Sequence, residues 1–365
     1  MPRIDSFLSL VVDQNASDLH FHAGTLPIIR YLGDLVHVPF RPLSETETKN
    51  FLFEIMTPDQ RAQFERQQSV DFSYASPGVG RFRVNVFQQS RGMGAVFRVI
   101  ADRTATIDEL RLPPIVAELA HMGSGLVLVT GPTGSGKTTT LAAMVHEINQ
   151  TTARHIITIE DPIEYIHKPA KAVVTQRELG THTISAGAAL RAALREAPDV
   201  IVVGELRDFE TVSLALSAAE TGTLVFGTLH TNSAAKAVDR LLSTCPEEAL
   251  QQVSSTVAAL MRGVIAQRLC KLASGDGRIA VIEVLLQSYA VSHLIREGKT
   301  FQIDGYLQSG EHSGSGERSL ERSILEYIIE GVITAEEGLD TANDRAALQE
   351  LIEKSDAARR WVGSG

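Results

Sequence analysis

The run Gly131-Pro132-Thr133-Gly134-Ser135-Gly136-Lys137-Thr138, continued by Thr139, has the spacing G-x-x-x-x-G-K-[ST]. Such a loop cradles phosphates: its glycines let backbone N–H groups wrap the anion, and Lys137 reaches the β/γ oxygens. Thr138 offers a hydroxyl to Mg²⁺. The apolar run 126–129 before it reads as a buried strand and 139–150 after it as a helix, whose N-terminal dipole adds to the anion site. Three later runs end in polar residues where an open α/β sheet binds its ligand. Residues 156–159 are apolar and lead into Glu160-Asp161-Pro162. Residues 200–203 are apolar and lead into Gly204-Glu205, which makes Glu205 a metal-side or water-orienting carboxylate. Residues 224–229 lead into His230, placed at a strand end to sense a γ-phosphate ahead of a helix capped by Thr231 or Ser233.

The elements that must position these groups alternate strand and helix from residue 115 onward: 126–130, 137–150, 155–159, 186–196, 200–204, 210–220, 224–229 and 234–242. That rhythm predicts a parallel sheet with helices on its faces. Residues 1–100 read as a smaller mixed domain, with β-type runs at 28–31, 70–74, 82–87 and 95–100 around one helical stretch at 45–67. Residues 101–114 read as a linker, broken by Asp102, Thr104 and Pro113-Pro114. The expected organisation is therefore an N-terminal domain 1–100, a linker 101–114, an α/β core 115–308, and a Gly/Ser break with a helical acidic tail over 309–365. The terminal Gly363-Ser364-Gly365 stands apart from any predicted element.

Composition narrows the classes. The 365 residues carry 34 Lys+Arg against 44 Asp+Glu, a net charge of −10, with 44% hydrophobic, 21% charged and 5% aromatic residues. This is a globular chain of about two domains. Few aromatics and an acidic balance count against a base-stacking or broadly nucleic-acid-binding surface. The acid is uneven: residues 1–112 carry −1, 113–308 carry −3 and 309–365 carry −6, so the argument is weaker for the core than for the whole chain. Arg outnumbers Lys 26 to 8, which suits recognition of phosphates by planar guanidinium groups. Two cysteines, Cys245 and Cys270, make neither a zinc motif nor a disulfide framework. The N-terminal apolar run is too short for a signal peptide, and no stretch approaches the roughly 18 apolar residues of a membrane span. A soluble, cytoplasmic protein is expected, without direct membrane insertion.

The motifs together resemble the PilT-type retraction motors of type IV pili, within the secretion-ATPase superfamily. The resemblance rests on GPTGSGKTTTLAAM at 131–144, TIEDPIEY at 158–165, LREAPDVIVVGELRDFET at 194–211 and AAETGTLVFGTLHTNSAAKAVDR at 218–240. These stand in the order of that family's Walker A, Asp box, Walker B and His box. Residues 16–20 and 80–100 are similar to the family's PAS-like domain. The resemblance implies a RecA-like P-loop ATPase core with a smaller N-terminal PAS-like α+β domain and a helical C-terminal tail. It also implies an ATP- and Mg²⁺-dependent ring hexamer. Arginines of the N-terminal domain complete the nucleotide site in such motors; by position these are Arg83 and Arg98, with Arg81 two residues from Arg83 on the same strand face. Glu160 is favoured for the attacking water and Glu205 for the metal, and the sequence permits the reverse.

The expected work is pilus retraction through an inner-membrane platform protein, at the cytoplasmic face of that membrane, with a second pilus ATPase as a further partner. The resemblance implies this direction of work, and it is helped by two expected absences, of the extra N-terminal domain and of the four-cysteine zinc site usual in extension motors. Residues 292–299 keep Leu-Ile-Arg-Glu of the family's AIRNLIRE element but not its beginning. A PilU-like accessory ATPase or a type II secretion motor is thus the alternative within the class. A nucleic-acid translocase and a non-hydrolysing nucleotide-gated scaffold are the alternatives outside it.

Overall fold

The computed structural model describes residues 2–31, 33–100, 103–309 and 316–355. The first two residues of the expected linker, 310–315 of the Gly/Ser break, and Gly363-Ser364-Gly365 lie outside the described residues. The chain forms two compact units. One comprises Met1–Arg103 together with Pro162–Ile166, and the other Thr104–Asp161 with His167–Gly365.

The first unit is α+β. Its strands are β1 (Asp18–His22), β2 (Ile28–Tyr31), β3 (Asp34–His37), β4 (Ser69–Ser76), β5 (Gly80–Gln89) and β6 (Gly92–Ile100). They form one sheet in the order β3-β2-β1-β6-β5-β4, antiparallel throughout. Alternation along β5 buries Phe82, Val84 and Val86 and turns Arg81, Arg83 and Asn85 to the other face. The single helix expected over 45–67 is instead two, Glu45–Ile55 and Pro58–Gln67. The break has a local cause. Thr57 accepts from the Gln60 N–H while Gln60 Oε1 accepts from the Thr57 N–H, a capping box with Pro58 at the first helical position.

The second unit is α/β. Strands β7 (Gly125–Thr130), β8 (His155–Glu160), β9 (Val173–Glu178), β10 (Val200–Val203), β11 (Leu224–Leu229), β12 (Met261–Lys271) and β13 (Arg278–Leu286) form a sheet in the order β13-β12-β7-β11-β10-β8-β9. All neighbours from β12 to β9 run parallel, and only β13 is antiparallel. Strands β7, β10 and β11 are buried at every position, which explains their uninterrupted apolar sequence. Leu126 and Leu128 pack into one core with helices Phe209–Glu220, Ala234–Leu242 and Glu247–Leu260. Val127 and Val129 pack into another with Ile115–Ala120 and Lys137–Thr151. The sheet is therefore covered on both faces.

Strands β1, β3, β9, β12 and β13 were not among the β-type runs read from the sequence. The tail forms helices Leu320–Ile329, Ala335–Thr341 and Arg345–Lys354, which bury Leu320, Ile324, Ile328 and Leu348 against Cys270, Ile279 and Val281 of β12 and β13. Cys245 and Cys270 are both free thiols, and burial pushes the Cys270 thiol up to about 11.

Candidate active site

The phosphate loop joins β7 to helix Lys137–Thr151. Gly131, Gly134 and Gly136 all have positive φ, the backbone that turns successive N–H groups inward. A side chain at Gly131 would put a Cβ 2.3 Å from the Gln267 carbonyl oxygen and 2.5 Å from Ser135 Oγ. That site admits glycine on contact as well as on torsion. Lys137, 9% exposed, donates to the carbonyls of Gly131 at 2.8 Å and Pro132 at 3.0 Å, so its ammonium lies across the mouth of its own loop. Thr138 is exposed at the first turn of the helix and Thr139 half-exposed.

A residue far along the chain holds the loop from behind. Gln267 of β12, 2% exposed, donates from Nε2 to the Ser135 carbonyl at 2.6 Å and accepts from Thr140 Oγ1 at 2.7 Å. One buried amide therefore ties the loop to its helix and both to the neighbouring strand. Sequence reasoning missed Gln267. It lies in no motif, and only the β12–β7 pairing brings it to the loop.

The strand order sets the remaining groups. Strand β11 lies between β7 and β10, so His230 at its end stands between the phosphate loop and Glu205. His230 Nδ1 is 3.4 Å from Lys137 Nζ and His230 Nε2 is 3.4 Å from Glu205 Oε2. With Nδ1 facing an ammonium donor, the tautomer that satisfies both contacts carries its proton on Nε2 and donates to Glu205. Arg207 Nε also donates to Glu205 Oε2, at 2.7 Å. The structure thus joins Lys137, His230 and Glu205 directly. The Thr231 N–H donates to Thr130 Oγ1 at 2.9 Å, pinning the turn after β11 to the strand that feeds the loop, while Ser233 caps the next helix.

Glu160 ends β8. Its Oε1 accepts from Thr158 Oγ1 at 2.6 Å and from Gln176 Nε2 of the edge strand β9 at 3.0 Å. Beside Gly136, Thr139 and Gln267 opens a cavity of about 600 Å³, bounded also by Arg111, Leu269 and Arg278.

Arg83 and Arg98 stand in the first unit directly opposite each other on β5 and β6, and Asp18 stands opposite both Arg98 and Arg30. Arg30, Asp18, Arg98 and Arg83 therefore form one row across four strands. Arg98 Nε donates to Asp18 Oδ1 at 2.9 Å. Arg83 Nη2 donates to Asp71 Oδ2 at 3.0 Å and Arg83 Nη1 to Glu164 Oε1 at 3.4 Å. Both predicted arginines are brought together, Arg98 on Asp18 and Arg83 on Asp71 and Glu164, pairings that sequence reasoning did not draw. Arg81 Nη1 is buried without a hydrogen-bond partner.

Thr138 and Glu205 are oxygen donors of the kind Mg²⁺ takes, with phosphate and water filling the other positions. Among the described residues no cluster of three or more His, Cys, Asp or Glu is placed to hold a metal ion. Among the described residues no helix is long and apolar enough to cross a membrane.

Comparison with known proteins places the whole arrangement. The chain is 45% identical over 339 residues to the type IV pilus retraction ATPase PilT of Pseudomonas aeruginosa, covering 93% of this chain and 98% of that protein. It is 47% identical over 310 residues to a twitching motility protein of Neisseria gonorrhoeae, covering 85% and 82%. A crystal structure of the pilus retraction motor PilT with bound ADP superposes with a TM-score of 0.86 at 41% identity, covering 94% of this chain and 98% of that one. The RecA-like core expected from the motif order is the fold observed. The model of the family described as type II/IV secretion system protein matches residues 1–340, phosphate loop, acidic strand ends and His230 turn included, and the chain belongs to that family.

Proposed function

We propose that this protein is a motor ATPase that drives type IV pilus retraction. The observation that carries the ATPase part of the reading is the direct chain from Lys137 through His230 to Glu205 at the mouth of a phosphate loop. The retraction part is supported by the 45% identity to a type IV pilus retraction ATPase. In this reading the loop N–H groups of residues 131–136 and Lys137 hold the β- and γ-phosphates of ATP. Thr138 and Glu205 would hold Mg²⁺, which would supply neutralisation of charge on the phosphate oxygens. Glu160 orients the attacking water and takes up its proton as the γ-phosphoryl group passes to it and ADP leaves. His230, between Lys137 and Glu205, reports γ-phosphate occupancy to helix Ala234–Leu242. The cavity beside Gly136 and Thr139 receives the nucleoside.

Arg83 and Arg98 act on a nucleotide held by another subunit of a homo-hexamer, where a planar guanidinium stabilises charge on the transferring group. Strand register places both guanidiniums on one face of the β-sheet, Arg98 held by Asp18 and Arg83 by Asp71 and Glu164. The ring works on a platform protein at the cytoplasmic face of the inner membrane. Mixing Arg83→Ala subunits with Lys137→Ala subunits is expected to change hydrolysis non-additively; strictly additive rates would place each site within one chain.

The decisive experiment expresses the chain in a pilus-bearing cell that lacks its own retraction motor and scores surface movement. Restored movement, lost again with Lys137→Ala, is the expected result. Failure to restore movement together with several-fold stimulation of hydrolysis by single-stranded DNA would overturn the reading.

A further inference from the structure

The turn that carries His230 is held at three points, one on the strand that feeds the nucleotide loop and two on the tail and β13. Thr231 is pinned to Thr130. Beyond it, the carbonyl of Asn232 accepts from Asn343 Nδ2 of the tail at 3.2 Å. The N–H of Ala234, first residue of the helix after His230, donates to Glu283 Oε1 of β13 at 2.6 Å. Glu283 is 5% exposed and also accepts the backbone N–H of Leu320, first residue of the first tail helix. One buried carboxylate therefore caps two helices at once, joining the helix behind His230 to the tail. Each of those N–H groups, at the first position of its helix, has no intrahelical partner.

A second carboxylate completes the link. Glu321, 3% exposed, accepts the N–H groups of Asn343 and Asp344 at 3.0 Å each, and Arg268 donates to the Thr341 carbonyl at 2.6 Å and to Asn343 Oδ1. Arg268 follows Gln267, the residue that braces the phosphate loop. The tail is thus fastened to the strand behind the loop and to the turn in front of it. These residues surround a polar cavity of about 340 Å³.

We propose that the C-terminal helical region controls the nucleotide site by setting the position of His230, with Asn343 and Glu283 as positioning residues acting on the turn 230–234. The inference rests on the reading of that site as an ATPase. Its physical content is that hydrolysis depends on geometry at the ångström level, and His230 spans the gap between Lys137 and Glu205 with two 3.4 Å contacts. Freeing Asn232 lets the imidazole leave that position without touching the loop.

The test uses the full-length protein with Asn343→Ala, an exposed substitution that leaves the buried cores intact. Two quantities are read: the ring ¹⁵N–¹H signals of His230, and kcat and KM for ATP. Expected are displaced His230 signals and a kcat lowered by roughly 3- to 10-fold with KM little changed. Glu283→Ala should act in the same direction, and Glu283→Gln, which keeps an oxygen for the Ala234 N–H, should stay near the parent. If Glu283→Ala does not fold, Asn343→Ala is sufficient to decide the matter. A fall in kcat with unmoved His230 signals overturns the proposal, as does displacement of His230 without loss of kcat, or no change in either. A parent protein that hydrolyses no ATP defeats the ATPase reading instead, while the His230 signals still report whether the tail holds the turn.

Discussion

Lys137 and Arg83 carry the same charge, and the two units hold it by different means. Lys137 is 9% exposed and donates to two backbone carbonyls of its own loop, five and six residues away. Arg83, with a side chain 35% exposed, donates to carboxylates 12 and 81 residues away. The loop is a local device, oriented by glycine torsions and braced by a buried amide. The arginine row is a tertiary device, assembled by strand register and wetted by solvent. A local, buried arrangement tolerates little change and responds weakly to salt. A solvated row contributes little to stability, whatever it does for catalysis.

The largest effect that would sharpen this contrast is on turnover. Lys137→Ala should lower the ATP hydrolysis rate by about 10²-fold or more, the scale for losing one preorganised donor to a developing phosphate charge. Melting temperature should change little. Glu205→Gln should act in the same direction while leaving nucleotide binding, followed by titration with a fluorescent ADP, largely intact.

Next in size is a pH effect confined to the second unit. Burial, helped by Asp304 and Glu321 facing the same cavity, raises the Glu283 carboxyl to about 7, against the backbone N–H groups of Ala234 and Leu320 that favour its charged form. Lys236 and Arg268 also line that cavity. The folded chain therefore keeps a proton that the unfolded chain loses between about pH 4.5 and pH 7. Stability falls as pH rises through that window. In Glu283→Gln this dependence should vanish, shifting the difference in unfolding free energy in favour of the variant by roughly 2–4 kcal/mol between pH 4 and pH 8. Urea titrations at the two pH values read it; equal differences at both would remove Glu283 from the account.

Smaller again is the brace. Gln267→Leu strips the Ser135 carbonyl and the Thr140 hydroxyl of their buried partner, a loss of roughly 1–3 kcal/mol. Nucleotide affinity should fall with it, because the loop is no longer tied to β12. The smallest effects belong to the arginines. Arg98→Ala leaves the nearly buried Asp18 to Arg30, whose Nε is 3.7 Å away, and to Ser17 Oγ at 2.7 Å. About 1–2 kcal/mol is expected. Arg83→Ala leaves two part-exposed acids and should cost less than about 1 kcal/mol. If Arg83→Ala nevertheless abolishes hydrolysis in the assembled protein, its role lies in the reaction. A large loss of stability from Arg83→Ala would break the comparison.

The acidic tail also changes meaning. The residues beyond 308 hold the most one-sided charge in the chain. Several of those acids serve as hydrogen-bond acceptors: Glu321 for Asn343 and Asp344, Asp344 for Ala347, and Glu337 for the Lys271 N–H of β12. Together with the packing of Leu320, Ile324 and Leu348 on β12 and β13, this makes the described tail part of the second unit. Charge counting marked the tail only as acidic, because composition records how many acids there are and not which N–H groups they face.

Much of the site was legible in the sequence, since its groups sit on contiguous runs. The eight residues of the loop, the apolar run into Glu205 and the run into His230 each carry their own signal, and the helix break at Thr57–Pro58 had one too, in its Thr-Pro-Asp-Gln cap. What remained hidden was every partnership between distant segments: Gln267 with Ser135, Asp18 with Arg98, Glu283 with Ala234 and Leu320. Side-chain type and local spacing by themselves determined which residues can bind a phosphate and which strands are buried on both faces, because glycine torsions and hydrophobic period act over a few residues. Only the tertiary structure decided that β11 lies between β7 and β10, and so that His230 stands between Lys137 and Glu205. Strand order follows from packing summed over the whole sheet, and no local run of residues encodes it.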